Sequence, residues 1–345
     1  MKNSIKNRIG IDVYEFVKKF IDTNSDSTLF VSTTNFFNIE SLKSKHKSIV
    51  NLGKLNNIRF INKFLISVNL NLETSNIFIG CAETFSARSK RKKINRIPFV
   101  RNIYFIGEFI FLRAFPKIWG LKKIYFFITR GRNRLLSKAE ILGRLVSCGF
   151  EIIDYKTING ILFFVTKKVE IPTITKVKPS YGPIYKMPRI GKNGKIIGVY
   201  KFRTMHPYAE FLQDYIINKN GYSETGKPAD DFRLTPWGRF FRKYWIDETP
   251  QLLNVIKGEM KFVGIRPISK RFFDDIPKDL QELRIKHKPG CIPPYVSLNK
   301  TGSVQDVIKA EREYLIEKNN NPYFTDFKYF FKAIYNILVK RKRSA

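Results

Sequence analysis

The chain has 345 residues, 43% of them apolar, so it is long enough to form two domains that each bury a core. A disordered chain is therefore not expected. Its 63 lysines and arginines exceed its 29 acidic residues and give a formal net charge of +34. Such an excess predicts anionic partners, and charge alone leaves nucleic acid, acidic lipid head groups and phosphorylated substrates open.

Cysteine usage and hydropathy give no sign of a secreted or membrane-spanning chain. Cys81, Cys148 and Cys291 stand far apart without a CxxC pair, which favours a reducing compartment over a disulfide framework or a zinc ribbon. The first residues lack the apolar run of a secretory signal. No stretch reaches the roughly 18 apolar residues that a spanning helix needs, so we expect no segment to cross the bilayer outright.

Residues 1–170 are predicted to form an α/β domain, because short apolar runs alternate with longer helical stretches. The apolar runs that we expect to form strands include residues 28–32, 76–81, 124–129 and 161–166. A helix is expected over residues 137–148, opened by a capping box between Ser137 and Glu140. Asn159-Gly160 is a strong turn signal and predicts a hairpin around it.

An aromatic stretch at residues 97–120 follows the basic run ARSKRKKINR. Aromatic bulk beside lysine and arginine is typical of helices that lie in a membrane interface. We therefore predict that Phe105, Phe109 and Phe111 contact the membrane. The charged residues of the stretch form no clean polar stripe, so a helix that packs in a core is the alternative.

Residues 171–180 are predicted to be a linker, because prolines there interrupt all periodicity. The character of the sequence changes after them. We find no internal repeat and no low-complexity tract. The sequence thus predicts a second domain over residues 181–345.

Two adjacent carboxylates, Asp247 and Glu248, precede a short helix that Gly258 should terminate. The apolar residues of this helix are expected to face a core; they are Leu252, Leu253, Val255 and Ile256. An isolated aspartate at such a position most often only caps its helix. Neighbouring arginines favour a functional interpretation; they are Arg233, Arg239 and Arg242 upstream and Arg266 downstream.

A helix N-terminus and several guanidinium groups together favour a pyrophosphate, because exposed N–H groups and arginine forks both bind phosphate oxygens. We expect the same positive field to lower the pKa of a carboxylate and keep it ionised. One carboxylate could then attack phosphorus while the other holds Mg²⁺, which neutralises the diphosphate.

Three runs in order, IYKMPRIGKNGKIIGVYKFRTM, DFRLTPWGRFFRKYWIDETPQLLNVIKGEMKFVGIRP and RIKHKPG, resemble the bacterial sugar transferase family. These enzymes are the polyprenyl-phosphate phosphoglycosyl transferases. The likeness covers about residues 180–336 and implies an α/β catalytic domain. It also implies that Asp247 is the nucleophile of a covalent phosphosugar intermediate and that Glu248 binds Mg²⁺. The implied phosphate-binding residues are Arg242, Arg266, Arg203 and Arg189.

Some positions depart from the family pattern. Ile265 stands where proline is usual before Arg266-Pro267, and Trp245 replaces a small hydroxyl residue before the dyad. The glycine-rich continuation after KPG is replaced by CIPPYVSLNKTG, which puts a substrate loop in doubt. The apolar helix through which family members enter the membrane has no counterpart before Ser180.

The N-terminal half more faintly resembles the C-terminal half of a class I methyltransferase fold. The resemblance lies in the stretch from NLGKLNNIRF to CAETF and in the stretch from LSKAEILGRLVSCGF to ILFFVTKK. No GxGxxG cofactor turn precedes them. We therefore predict a degenerate, methyltransferase-like domain that serves packing or docking.

Together these features predict transfer of a hexose 1-phosphate from a UDP-sugar to undecaprenyl or another polyprenyl phosphate, the initiating step of a surface glycan. The expected location is the cytoplasmic face of the cell membrane, on its anionic surface, with the cytoplasm as alternative. An inactive membrane-surface scaffold is the second function considered. The third is a basic nucleic-acid-binding protein, but no nucleic-acid motif is recognisable and no nucleic-acid partner is expected. The sequence leaves the sugar, the polymer and the oligomeric state open.

Overall fold

The computed structural model describes residues 6, 9–42, 44–117, 120–172, 182–221, 230–300 and 303–340. Most of the expected linker, residues 173–180, lies outside the described residues. The chain separates into two compact units; the first comprises residues 1–181 and 206–233, and the second residues 182–205 and 234–345. The two-domain boundary stays a prediction, to which the structure adds that residues 206–233 pack with the first unit.

A five-stranded sheet is the centre of the first unit. Its strands are β1 (Thr28–Val31), β2 (His46–Lys54), β3 (Leu72–Ala82), β4 (Phe150–Ile158) and β5 (Ile161–Lys168). Their order across the sheet is β1-β2-β3-β5-β4. The first three strands are parallel, whereas β5 is antiparallel to both of its neighbours. The α/β prediction is thus confirmed.

Helices cover both faces of this sheet. Those of the first unit are α1 (Ile11–Lys18), α2 (Phe37–Glu40), α3 (Ile61–Leu70), α4 (Phe85–Arg91), α5 (Pro98–Phe109), α6 (Leu121–Thr129), α7 (Lys138–Ser147) and α8 (Gln213–Asn220). Because side chains alternate along a strand, Phe78 and Ile79 of β3 enter different cores. Ile79 packs with Val17 of α1, and Phe78 packs with Leu65 of α3 and Leu142 of α7.

The predicted start of α7 is confirmed in part. The Ser137 hydroxyl accepts a hydrogen bond from the Glu140 amide at 3.1 Å. The Glu140 carboxylate is buried and pairs with Arg113 at 3.0 Å and Arg144 at 2.9 Å. The hairpin turn is confirmed in full, with positive φ at Asn159 (50°) and Gly160 (76°).

The strand predicted at residues 124–129 is wrong, since this run belongs to α6. Within it only Tyr125 is buried, and Phe127 is 86% exposed. A short apolar run fits a strand and one face of a helix equally well, so the run itself contained no deciding signal. Among the described residues, no helix combines the length and the apolar character needed to cross a membrane.

Residues 206–233 are tied to α7 by close contacts within the first unit. A Cβ atom on Gly143 would lie 2.2 Å from the carbonyl oxygen of Tyr208, so this crossing needs glycine. The Tyr208 hydroxyl accepts hydrogen bonds from Asn62 Nδ2 at 2.7 Å and Arg144 Nη1 at 3.1 Å. Leu212 joins the core beside α3 and α7.

The second unit contains two small sheets and seven α-helices in its described part. The hairpin of β6 (Ile184–Ile190) and β7 (Ile196–Phe202) is antiparallel, and β8 (Lys261–Val263) pairs in parallel with β9 (Gly290–Ile292). The helices are α9 (Pro236–Lys243), α10 (Leu252–Ile256), α11 (Lys270–Asp275), α12 (Lys278–Ile285), α13 (Pro294–Ser297), α14 (Val304–Asn320) and α15 (Phe324–Leu338). Their core includes Val263, Leu280 and Tyr329.

Candidate active site

The carboxylate pair lies in a 3₁₀ helix, Ile246–Gln251, which runs directly into α10. Trp245 precedes this helix with φ of 54°, a left-handed conformation that is uncommon for a bulky residue. This residue lies between the end of α9 and the start of the 3₁₀ helix. Asp247 is placed in the first turn, near a helix N-terminus as predicted.

The expectation that the apolar residues of α10 face a core is wrong. Leu252, Leu253 and Ile256 are exposed, and the fully buried residue of the helix is Asn254. Its Oδ1 accepts a hydrogen bond from the Tyr200 amide at 3.0 Å, and its Nδ2 donates to the Gly198 carbonyl at 2.9 Å. An amide that satisfies the backbone of β7, not apolar burial, therefore anchors the helix after the dyad.

A lysine on the neighbouring strand pairs with the second carboxylate of the dyad. Lys201 Nζ of β7 lies 2.6 Å from Glu248 Oε1. Sequence reasoning missed Lys201, although it stands inside the YKFRTM motif. Basic residues of strands are usually solvated, and only the packing of β7 against the 3₁₀ helix distinguishes this one.

Burial is the largest cause of the shift in the pKa of Asp247, which is 8% exposed. Burial raises the pKa of the Asp247 carboxyl, Lys201 and Arg242 oppose this shift, and Glu248 adds to it. The expected lowering of the pKa is therefore wrong. Loss of hydration outweighs the attraction of two cations at this position.

Four predicted residues share the surroundings of one phenol, Tyr185 of β6. Burial is the largest cause that raises the pKa of Tyr185; Asp247 also raises it, while Arg242, Arg203 and Arg189 lower it. Each of the four charges therefore acts on the same hydroxyl. The strand β6 and the dyad thus contribute to one polar region of the second unit.

Two of these arginines are positioned by contacts of their own. Arg242 Nε donates to Thr204 Oγ1 at 3.0 Å. Arg203 Nε donates to the Gly182 carbonyl at 3.0 Å, and its guanidinium lies 5.3 Å from the centre of the Tyr185 ring. These contacts fix the position of both guanidinium groups beside β6.

A buried ion pair holds the backbone of Arg266. The Arg266 amide donates to Glu311 Oε1 at 3.2 Å, and its carbonyl accepts from Arg284 Nη2 at 2.6 Å. Arg284 and Glu311 are themselves paired and almost fully buried. Glu311 lies on α14, far from the motifs in sequence, and nothing in its surroundings there marked it.

The loop around Arg266 also depends on a close backbone approach. A Cβ atom on Gly290 would lie 2.2 Å from the Gly264 amide nitrogen, so the KPG glycine is required for this contact. The Gly290 amide donates to the Ile265 carbonyl at 2.9 Å. The Ile265 variant of the family pattern is compatible with this arrangement, since its side chain is buried.

A cavity of about 370 Å³ in the second unit brings several of these residues together. Its charged lining includes Arg189, Lys201, Glu248 and Arg266, and Gln251 also lines it. The segment that departs from the family pattern forms part of the wall through Gly290, Cys291 and Pro293. Burial, assisted by Glu248, raises the pKa of Cys291 to about 11, which favours the protonated thiol at neutral pH.

The three predicted membrane contacts are half-buried in the first unit. Phe105 packs edge-on against Phe85 with centroids 6.3 Å apart, and Phe111 packs against Tyr125 at 5.8 Å. Phe109 faces Arg113, whose guanidinium lies 6.0 Å from its ring. The roles assigned to these residues stay predictions.

The surface of α5 and α6 nevertheless exposes large apolar side chains, at other positions than those predicted. They include Phe99, Ile103, Ile106, Ile124, Phe127 and Ile128. Phe99, at 77% exposed, lies at the start of α5. The apolar face of this stretch is therefore one turn or less away from the predicted phenylalanines.

Comparison with known proteins gives a consistent picture. The sequence profile described as bacterial sugar transferase matches residues 151–340. The galactosyl transferase CpsE of Streptococcus agalactiae serotype III (strain NEM316) is 33% identical over 153 residues, 43% of this chain and 34% of that protein. The undecaprenyl-phosphate galactose phosphotransferase of Salmonella typhimurium (strain LT2) is 40% identical over 111 residues, 29% of this chain and 23% of that protein.

A shorter relative is covered more completely. The uncharacterized sugar transferase EpsL of Bacillus subtilis (strain 168) is 32% identical over 182 residues, which are 52% of this chain and 82% of that protein. The chain spans about a third or less of the two larger relatives. The similarity is thus concentrated in the half that contains the dyad.

Proposed function

The chain belongs to the bacterial sugar transferase family, and we propose that it transfers a sugar 1-phosphate from a UDP-sugar to a polyprenyl phosphate. One observation carries this proposal: Glu248, Lys201 and two arginines line one cavity, and the residue before Glu248 in the chain is the buried Asp247. Cationic forks beside a carboxylate pair suit a diphosphate better than any neutral substrate.

Asp247 is the nucleophile in this proposal. One of its carboxylate oxygens attacks the β-phosphorus of the UDP-sugar, and the bond between that phosphorus and the UMP oxygen breaks. UMP leaves with the bonding electrons. A phosphate oxygen of the polyprenyl phosphate then attacks the same phosphorus, which frees the Asp247 carboxylate.

The cations hold the phosphates during both steps. Arg266 and Arg189 reach the cavity and can each offer a planar fork to phosphate oxygens. Lys201 orients Glu248 through their 2.6 Å contact. The burial that raises the pKa of Asp247 also strips water from its carboxylate, so the ionised form is weakly solvated when it attacks.

A magnesium ion is part of the proposal. Among the residues that the structure describes, no three His, Cys, Asp or Glu side chains form a metal-binding group. Mg²⁺ in phosphate-transferring sites is usually held by one or two carboxylates together with substrate phosphates, so Asp247 and Glu248 fit it. When bound, it would neutralise charge on the diphosphate.

The proposed partner surface is an anionic membrane, reached through α5 and α6. Residues 84–134 contain 14 lysines and arginines and one acidic residue, Glu108. Glu108 is buried and paired with Arg88 at 2.8 Å and Lys92 at 2.5 Å. Exposed aliphatic and aromatic side chains within a stretch that has an excess of basic residues suit acidic lipid better than nucleic acid, whose backbone offers no apolar phase.

The second unit exposes an apolar face as well. On α15 it consists of Phe324, Phe327, Phe331, Tyr335 and Leu338. Lys332 lies on the same helix. This face is a second surface at which lipid contact can be tested.

The deciding experiment is to incubate the protein with UDP-sugars and Mg²⁺ and no acceptor, and to measure intact mass and UMP release. We expect a covalent phosphosugar adduct and release of about one UMP per chain. Asp247→Asn should give neither, because an amide supplies no attacking oxyanion. Asp275→Asn, at an exposed position on α11, is the matched control.

A chain that turns over UDP-sugar and acceptor without any adduct on Asp247 would contradict the covalent mechanism. A chain that binds UDP-sugar and vesicles but releases no UMP under any condition would instead be the inactive scaffold.

A further inference from the structure

One face of α9 is in contact with Thr204, a residue that follows β7 closely in the chain. Thr235, Gly238 and Arg242 are spaced three and four residues apart, so they share this face of the helix. Thr204 is 3% exposed. Its carbonyl oxygen contacts the start of the helix and its hydroxyl contacts the last turn.

The backbone of Thr204 is fixed against the start of α9. Its carbonyl oxygen accepts hydrogen bonds from the Thr235 amide at 2.9 Å and the Thr235 hydroxyl at 3.0 Å. The Thr235 hydroxyl in turn accepts from the Gly238 amide at 2.9 Å and so caps the helix. A Cβ atom on Gly238 would lie 2.1 Å from the same carbonyl oxygen, so this approach needs glycine. Backbone packing therefore sets where the Thr204 side chain begins.

The hydroxyl of Thr204 holds Arg242, which is in the last turn of α9. Arg242 Nε donates to Thr204 Oγ1 at 3.0 Å. Within the part of the chain that the structure describes, neither Nη group of Arg242 makes a hydrogen bond or an ion pair. A neutral hydroxyl that accepts from Nε orients the planar guanidinium without cancelling its charge, and it leaves the Nη donors to a ligand. The charge of Arg242 also reaches Asp247, since it opposes the rise in the pKa of that carboxyl.

We propose that Thr204 is a positioning residue, whose hydroxyl orients the Arg242 guanidinium to bind a phosphate group of the substrate beside Asp247. The inference rests on the proposed function and adds a residue that acts through Arg242, not on the substrate. A free arginine side chain loses rotamer freedom when it binds a ligand. An arginine already held by Thr204 loses less, so its interaction with phosphate is stronger in the reacting complex.

The test compares two exchanges of Thr204. Thr204→Val keeps the branched shape of the side chain and removes the acceptor, whereas Thr204→Ser keeps the acceptor. UMP release is measured with polyprenyl phosphate, Mg²⁺ and UDP-glucose, UDP-galactose or UDP-N-acetylglucosamine, and melting temperatures show that folded proteins are compared. We expect kcat/KM to fall about tenfold in Thr204→Val and Thr204→Ser to restore it to within about twofold of the wild type. Thr157→Val, at an exposed position of β4, is the matched control.

A double-mutant cycle with Arg242→Met separates positioning from a purely structural role. Because Thr204 acts through Arg242, the combined variant should have the same kcat/KM as Arg242→Met alone. A residue that merely stabilised the fold would lower kcat/KM by its own factor in both backgrounds. Arg242→Met should itself lose at least as much activity as Thr204→Val.

The outcomes distinguish this inference from the proposed function. A Thr204→Val enzyme with the kcat/KM of the wild type overturns the inference and leaves the proposed function intact. Equal losses in Thr204→Val and Thr204→Ser also overturn it, as does a loss that persists at full size in the Arg242→Met background. If the wild-type chain releases no UMP from any of the three UDP-sugars, the proposed function itself fails, and this inference fails with it.

Discussion

The region around the dyad and the α5–α6 stretch differ in how well the sequence predicted where their side chains lie. Around the dyad, residues spread over separate motifs, such as Arg189, Glu248 and Arg266, reach one cavity. In the α5–α6 stretch, composition indicated an interfacial helix, yet the phenylalanines chosen are half-buried and their neighbours are exposed. Charged residues that bind one ligand must lie close together, whereas an aromatic residue can pack in a core or lie on a surface equally well.

The comparison also shows two uses of buried charge. In the second unit the Arg284–Glu311 pair holds the backbone of Arg266 and so supports a site. In the first unit Glu108 lies buried between Arg88 and Lys92, which removes the only negative charge of a basic stretch from the surface. Similar ion pairs thus shape a cavity in one unit and a positive face in the other.

The variant with the largest expected effect distinguishes catalysis from membrane binding. Asp247→Asn should reduce UMP release by about 10⁴-fold or more, because the attacking atom is lost. Its binding to anionic vesicles should match the wild type in a sedimentation assay. Substantial UMP release by the variant would remove Asp247 from the mechanism and leave the dyad with a capping role.

Breaking the support of Arg266 should cost both stability and activity. Arg284→Met leaves the Glu311 carboxylate buried without its partner, and we expect a loss of about 3 to 5 kcal/mol in the free energy of unfolding. The double variant with Glu311→Met should recover much of that stability in denaturant titrations. Its UMP release should nevertheless stay low, because the Arg266 backbone has lost both contacts. Full activity in a stable double variant would show that this anchor is dispensable.

Arg266→Lys tests the guanidinium itself. The positive charge remains, but an ammonium cannot offer two parallel hydrogen bonds to phosphate oxygens, so kcat/KM should fall roughly tenfold to a hundredfold. The fold should be unaffected, as judged by the melting temperature. A kinetically silent exchange would assign Arg266 a purely electrostatic role.

A pair of triple variants decides which face of α5 meets lipid. Replacing Phe99, Ile103 and Ile106 by Ser should weaken binding to anionic vesicles at least tenfold, since exposed apolar side chains can enter the bilayer. The melting temperature should change little. High salt should weaken the wild-type interaction without abolishing it, because only the electrostatic part is screened.

Replacing Phe105, Phe109 and Phe111 by Ser is the counterpart. Their rings pack within the first unit, so we expect a lower melting temperature as the main effect. If this variant stays folded and alone loses vesicle binding, the prediction made from sequence is right and the exposed face is not the lipid contact.

The smallest expected effect is a shift in pH dependence. Because Lys201 lowers the pKa of Asp247, Lys201→Gln should raise that pKa further. A protonated carboxyl cannot attack phosphorus, so the acid limb of the kcat/KM profile should move to higher pH. The stability contributed by protonated Asp247 should correspondingly persist to higher pH, and be lost as pH rises through the new pKa. An unmoved acid limb would show that another group controls it.

The sequence by itself determined the α/β class, the hairpin at Asn159-Gly160 and the candidate dyad, because turn residues and clustered charges signal locally. Only the tertiary structure decided which face of α5 and α6 is exposed, that Asn254 and not leucine anchors α10, and that burial raises the pKa of Asp247. It also brought Glu311 of α14 to Arg266. Burial and long-range pairing depend on which distant part of the chain packs against a residue. A local sequence pattern does not identify that part.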